Sequence, residues 1–190
     1  MIFLLMTVLG CAPKLTKDDN EAVDTSVSVQ EEVVAFDSCS QALNDHPCNF
    51  TLTNSQEEEI SLYDFYGKAI VLDLSAMWCA PCNSAADEVQ AVQDEYGEDL
   101  AYITVLIDNY DGEPPTTADC ALWETSHGIT TAPVLCGDRT LIGYDINAQW
   151  PLTAWPTFFF IDQEMIYRHS VQGFNSYLID ASIDKLINDE

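Results

Sequence analysis

Positive charge is what this chain of 190 residues has least of. Six Lys and Arg stand against 32 Asp and Glu, giving a formal net charge of −26 at pH 7. Phosphate backbones are held by clustered Lys and Arg, and Lys14, Lys17, Lys68, Arg139, Arg168 and Lys185 are scattered, so composition argues against a nucleic-acid partner. The acidic residues are spread along the sequence rather than gathered in one block, which describes a solvated, soluble surface better than a dedicated electrostatic docking site.

A long apolar run is missing too. The N-terminal stretch MIFLLMTVLG is far shorter than the about 20 apolar residues a membrane-crossing helix requires, and its length suits the core of an export signal. Val8-Leu9-Gly10-Cys11 resembles the lipobox of bacterial lipoproteins, which implies cleavage before Cys11 and a lipid on that residue. The next segment, rich in Asp, Glu, Thr, Ser, Gln and Val, keeps no helical or strand period. The expected organisation is a lipoprotein-type signal over 1–10, a flexible acidic tether over 11–37, and one folded domain over 38–190.

Metal-binding repeats are also absent: the sequence has one CxxC, no second, and no HxxxH. A zinc site would have to join that CxxC to ligands drawn from His46, His127, His169 and the remaining thiols, a spacing structural zinc does not use. No metal and no cofactor are expected.

What is present is a core and a set of thiols. Apolar residues make up 47% and aromatics 11% of the chain, enough for one domain of ordinary size to offset its ordering entropy. Setting Cys11 aside for lipid leaves Cys39, Cys48, Cys79, Cys82, Cys120 and Cys136, an even number. In an oxidising compartment Cys39 with Cys48 and Cys120 with Cys136 are local bridges that the spacing permits without fixing.

Residues 70–82, IVLDLSAMWCAPC, carry the chemistry. Ile70–Ser75 reads as a buried strand, and beyond Pro81 the residues Ala85, Val89, Val92 and Tyr96 recur at helical intervals. Proline fits the first turn of a helix, where no N–H is needed and its fixed φ is already helical. Cys79 and Cys82 thus stand where a strand hands over to a helix. The helix dipole and unpaired amide donors there favour thiolate, lowering a cysteine pKa from about 8.5 to between ~3.5 and ~7.5. Cys79 is the expected nucleophile. Cys82, one turn on and facing inward, is the expected resolving thiol that attacks the mixed disulfide formed by Cys79.

WCAPC after a hydrophobic strand resembles the thioredoxin-like superfamily, and within it the exported, membrane-tethered TlpA/ResA-type thiol-disulfide oxidoreductases, with redoxin and AhpC/TSA-related domains as near relatives. The likeness runs from about Asn49 to Leu186. It implies an α/β thioredoxin fold, a central mixed β-sheet flanked by helices, with an N-terminal β-hairpin extension and an inserted βα unit. The insertion, TTADCALWETSHG followed by APVLC, suggests a helix capped by Thr117 and ended by Gly128, with Cys120 and Cys136 as an added staple. A last helix, about Ser176–Ile187, is expected to close the far face of the sheet.

The resemblance also carries roles to individual residues. Asp73 matches the buried acid beneath the resolving cysteine, and Trp78 the aromatic that shields the couple. Trp155-Pro156 in TAWPTFFFID matches the cis-proline loop on which substrate peptides dock, while Pro133 and Pro151 read as loop or strand-edge residues. Two departures stand out: Ala85 replaces a glutamate that many TlpA/ResA-type proteins carry, and Thr104 stands where thioredoxin itself places a lysine. His127 reads as a helix-end residue that offsets the dipole. The implied setting is the bacterial cell envelope, lipid-anchored and facing the periplasm or exterior. The implied partners are envelope proteins bearing disulfides or thiols, apocytochrome c first among them, and a membrane electron donor or acceptor.

Three other classes are weighed against this. A thiol peroxidase would place a Pro and a Thr or Ser at fixed offsets ahead of a lone cysteine, and the stretch before Cys79 lacks both at those offsets while Cys82 adds a resolving thiol. A copper-delivery protein on the same fold would add a distant histidine, for which His169 after FFFID is poorly set. A binding module with inert thiols remains formally open because fold does not fix activity.

Overall fold

The computed structural model describes residues 34–145 and 147–188. The signal, Cys11 and most of the tether fall outside them. Phe36, assigned to the tether above, belongs to the folded unit: its ring stacks on His46 with centroids 3.8 Å apart and meets Tyr63 edge-on at 5.2 Å. An aromatic ring that finds two others leaves water with them, whatever the polarity of the residues before it.

Among the described residues seven strands form one mixed sheet: β1 (Thr51–Asn54), β2 (Glu59–Ser61), β3 (Ala69–Ala76), β4 (Leu100–Asp108), β5 (Val134–Cys136), β6 (Thr157–Ile161) and β7 (Tyr167–Gln172). Their order is β2-β1-β5-β4-β3-β6-β7. β3, β4 and β5 run parallel, and the remaining pairings are antiparallel. Every residue of β3 and β4 is buried, which is why AIVLDLSA and LAYITVLID are almost continuously apolar: parallel central strands are covered on both faces. Alternation sorts their side chains into two layers. Val71 and Tyr102 face one cluster, Leu72 and Ile103 the other.

The α-helices among the described residues are α1 (Ala80–Tyr96), α2 (Thr117–His127) and α3 (Ser176–Asn188). Val89, Trp123 and Ile183, one from each, belong to the same buried cluster, so α3 shares a face with α1 instead of closing the far one as expected. The connections β3-α1-β4 and β4-α2-β5 step the same way across the sheet, and right-handed crossovers then put both helices on one side. The stripe Ile179, Ile183 and Leu186 brings α3 to that side as well. The opposite face is covered without a long helix, by Leu62, Phe50 and a fully buried Trp150, whose ring lies 4.6 Å from that of Phe159.

The inserted unit is present as α2 and β5, but its cap is Thr116, one residue before the expected Thr117. The Thr116 hydroxyl accepts from the Asp119 N–H at 3.2 Å, and Asp119 Oδ2 accepts from the Thr116 N–H at 2.8 Å. This reciprocal box satisfies two donors that the helix start leaves open. It also holds the Asp119 carboxyl below its usual range, chiefly through that backbone hydrogen bond. Thr116→Ala is expected to lower unfolding free energy by about 1 kcal/mol, read as a shift in denaturant midpoint without a change in slope.

Candidate active site

The site is built where β3 ends. Chain reversal from strand to helix is fixed by short-range bonds: Cys79 N–H donates to Ala76 O (3.1 Å), and Asn83 N–H donates to Cys79 O (3.1 Å). The Asn83 side-chain amide reaches back to Met77 O at 3.0 Å and Cys79 O at 2.8 Å. Asn83 is thus a brace for the thiol loop that sequence reading passed over.

Cys79 is the N-cap of α1. Its sulfur accepts from the Cys82 N–H at 3.2 Å, and Pro81 occupies the first turn. An atom in this position receives an amide donor and the positive end of the helix dipole, both of which favour a negative charge on sulfur. Cys79 and Cys82 are joined in a disulfide with Cα atoms 5.2 Å apart. Cys79 is 4% exposed and Cys82 0%, so the first residue of the couple is the one that reaches the surface at all.

Asp73 lies on β3 two residues after Val71, on the side of the sheet whose cluster contains Cys82, Ala85 and Val89. It is completely buried. Its carboxyl accepts from Ser75 Oγ at 2.7 Å and from Thr104 Oγ1 at 3.5 Å. Burial pushes its pKa from 3.8 up to about 7, and the two hydroxyls offset only part of that rise. The carboxyl can therefore take up or release a proton near neutrality without any cation beside it. Ser75 is a partner that the i, i+2 spacing along a strand could have revealed. Tyr102, also buried in this layer, is pushed well above its usual range by burial first and by the Asp73 charge second.

The rim is aromatic. Trp78, 45% exposed, meets Trp155 edge-on with centroids 5.5 Å apart. The Trp155-Pro156 peptide is cis, and the Pro156 carbonyl accepts from the Gly173 N–H at 2.8 Å. The indole N–H of Trp78 donates to Asp108 Oδ2 at 3.1 Å. Asp108 also receives Arg139, and neither residue was singled out in the sequence.

Other sequence candidates lie elsewhere. Cys39–Cys48 and Cys120–Cys136 are bonded, with Cα separations of 4.7 and 6.1 Å. His46 Nδ1 lies 2.8 Å from the Met165 carbonyl in the β6–β7 turn. His127 ends α2, the position expected of it, and its Nδ1 also lies 2.7 Å from Asp87 Oδ1 on α1. His169 stacks on Phe160, whose register partner on β3 is Val71, five residues back from Ala76. Burial lowers the His169 pKa, with Lys185 adding to the effect.

Comparison with known proteins adds family evidence. The model of the AhpC/TSA family matches residues 43–170, more than half of the chain. The chain is 26% identical over 116 residues to the Thioredoxin-like protein YneN of Bacillus subtilis, an alignment spanning 61% of this chain and 63% of that protein. Among solved structures, the pneumococcal exposed lipoprotein thioredoxin Etrx1 of Streptococcus pneumoniae is 26% identical with a TM-score of 0.58, covering 73% of this chain and 100% of that one. A Chlorobium tepidum structure described as a putative Thiol:disulfide interchange protein DsbE has a TM-score of 0.60 at 20% identity, covering 77% and 99%. At that identity the likeness speaks for the fold.

Proposed function

The chain belongs to the AhpC/TSA family, and from that premise we propose that it is a thioredoxin-like thiol-disulfide oxidoreductase whose redox couple is Cys79–Cys82, working outside the cytoplasm on disulfides or thiols of other proteins. One observation carries the reading: the sulfur of Cys79 caps a helix next to a buried partner thiol, with a carboxyl titrating near neutrality in the same layer.

The reaction follows from that placement. With the couple reduced, the Cys79 thiolate attacks one sulfur of a substrate disulfide. A new S–S bond joins Cys79 to the substrate, and the other substrate sulfur leaves with the electron pair and takes a proton. Cys82 then passes its proton towards Asp73 and attacks Cys79 Sγ. The Cys79–Cys82 bond forms, the mixed disulfide breaks, and the second substrate thiol departs. Two electrons have moved from the couple to the substrate, and the reverse sequence oxidises a dithiol. Trp78 and the Trp155-Pro156 loop form the wall against which the substrate chain lies.

Export fits the supporting facts. Two further disulfides bind the domain, and such bridges persist in oxidising compartments. Among the described residues no helix is long and apolar enough to cross a membrane. Attachment through a lipid on Cys11 is the accompanying proposal, with envelope proteins, apocytochrome c among them, as substrates and a membrane protein as electron donor or acceptor.

The test is reduction of insulin by the purified protein with dithiothreitol as the electron source. Precipitation of the B chain is expected well ahead of the uncatalysed reaction. A time course identical to dithiothreitol alone, from protein whose Cys79 also resists alkylation at neutral pH, removes the reading. Added hydrogen peroxide distinguishes a thiol peroxidase, which would consume it at a rate that depends on Cys79.

A further inference from the structure

We propose that Arg139 and Asp108 form a clasp that fixes Trp78 over the redox couple, making both of them positioning residues for the docking of a protein substrate. The inference rests on the oxidoreductase reading above and names residues that it does not use.

The starting point is the scarcity of cations. Four Lys and Arg fall among the described residues. Lys68 directly precedes β3 and pairs with Glu98 ahead of β4, while Arg168 and Lys185 line a groove with Asp162 and Glu164 of the β6–β7 turn. β3 runs from that end of the sheet towards the couple, so these three lie at the opposite pole from Cys79. Arg139 alone among the described Lys and Arg stands at the end that carries the thiols, and it is spent on a carboxylate there.

That carboxylate is unusual in its setting. Asp108 closes β4 in register with Ala76, its carbonyl accepts from Met77 N–H at 3.0 Å, and its side chain is 1% exposed. A carboxylate withdrawn from water needs donors on both oxygens. Arg139 Nε donates to Oδ1 at 2.8 Å and Nη2 to Oδ2 at 2.5 Å, and the Trp78 indole donates to Oδ2 at 3.1 Å. The planar guanidinium matches both oxygens at once, which a lysine cannot do.

The reach of Arg139 is built into the inserted unit. Gly137, just after β5, lies so close to β4 that an added Cβ would stand 2.6 Å from Val105 Cγ1, and its N–H donates to Leu106 O at 2.8 Å. The chain therefore hugs β4 and delivers Arg139 to the strand end, with the Cys120–Cys136 bridge immediately behind it. A half-exposed tryptophan free to rotate would lose entropy each time it packed a substrate, whereas one held in place has already given it up. The clasp thereby presets the Trp78–Trp155 wall, which matters for a polypeptide substrate that spans it and little for a small disulfide that does not.

The test compares the parent with Arg139→Gln, Arg139→Lys, Trp78→Phe and the double variant Trp78→Phe/Arg139→Gln, using insulin and 2-hydroxyethyl disulfide as substrates. Arg139→Gln is expected to raise KM for insulin roughly fivefold to tenfold, as fits the loss of a charge-assisted bond network, with a far smaller effect on kcat and on the small disulfide. Arg139→Lys should recover part of the difference. In the Trp78→Phe background the same substitution should add nothing further, because its effect passes through the indole. The NMR resonance of the Trp78 indole N–H should move and its exchange with water quicken in Arg139→Gln. Equal losses in both backgrounds, or an unmoved indole resonance with only a lowered Tm, overturn the proposal. A parent inactive on both disulfides sinks the oxidoreductase reading instead, while the indole measurement still decides the clasp.

Discussion

Cys79→Ser is expected to lose catalysed disulfide reduction by a factor on the order of 10³ or more, because the hydroxyl that replaces the thiol cannot form the mixed disulfide on which both later steps depend. Cys82→Ser should behave differently. Its Cys79 can still attack, since that sulfur keeps its place at the α1 N-cap next to the residue-82 amide, but nothing buried behind it can displace the captured chain. A covalent adduct with substrate should therefore accumulate, visible as a shifted band on non-reducing gels and released by dithiothreitol. The contrast separates attack from resolution. Equal insulin reduction by parent and Cys79→Ser would end the proposed mechanism.

Asp73→Asn is expected to be the most stabilising single change near the site. The rise from the ordinary 3.8 to about 7 in a fully buried carboxyl is equivalent to roughly 4 kcal/mol. Below about pH 4 the carboxyl is protonated in both folded and unfolded chains, and the substitution gains nothing. From there to about pH 7 the unfolded chain releases a proton that the folded chain keeps, so the parent loses stability as pH rises. Above that range the loss is complete and the variant's advantage is largest. Denaturant midpoints measured across pH should show the two proteins converging in acid and diverging towards alkaline conditions. Turnover should move the other way: without a carboxyl to receive the Cys82 proton, the resolving step slows and the pH–rate profile loses its limb near neutrality. Parallel stability curves would show that Asp73 is not the buried titrating group described.

The two predictions differ in how visible their causes were beforehand. The setting of Cys79 is local: a strand ending at Ala76, a proline at 81 and a helical repeat through Tyr96 are all close in sequence and so readable as pattern. The same holds for α2, whose cap differs by one residue because Thr116 and Thr117 are chemically alike and the choice falls to which of them faces Asp119, while the β1–β2 hairpin is implied by the family resemblance. The setting of Asp73 is not local. A strand aspartate can point to water or to the core, and its titration near neutrality follows from burial beneath packed helices, which the hydroxyls of Ser75 and Thr104 only partly offset.

Sequence by itself determined the local chemistry of this protein: two thiols at a strand-to-helix junction, a family likeness across most of the domain, and an acidic surface that turns phosphate polymers away. These follow from spacing, since residues three or four apart on a helix must share a side. Tertiary structure alone decided which face α3 covers, that the carboxyl of Asp73 is met by Thr104, and that Arg139 closes on Asp108 and thereby on Trp78. Each of those depends on segments some 30 residues or more apart being brought together and on water being driven out between them. Dielectric and hydrogen-bond supply are properties of the packed assembly, and no run of letters contains them.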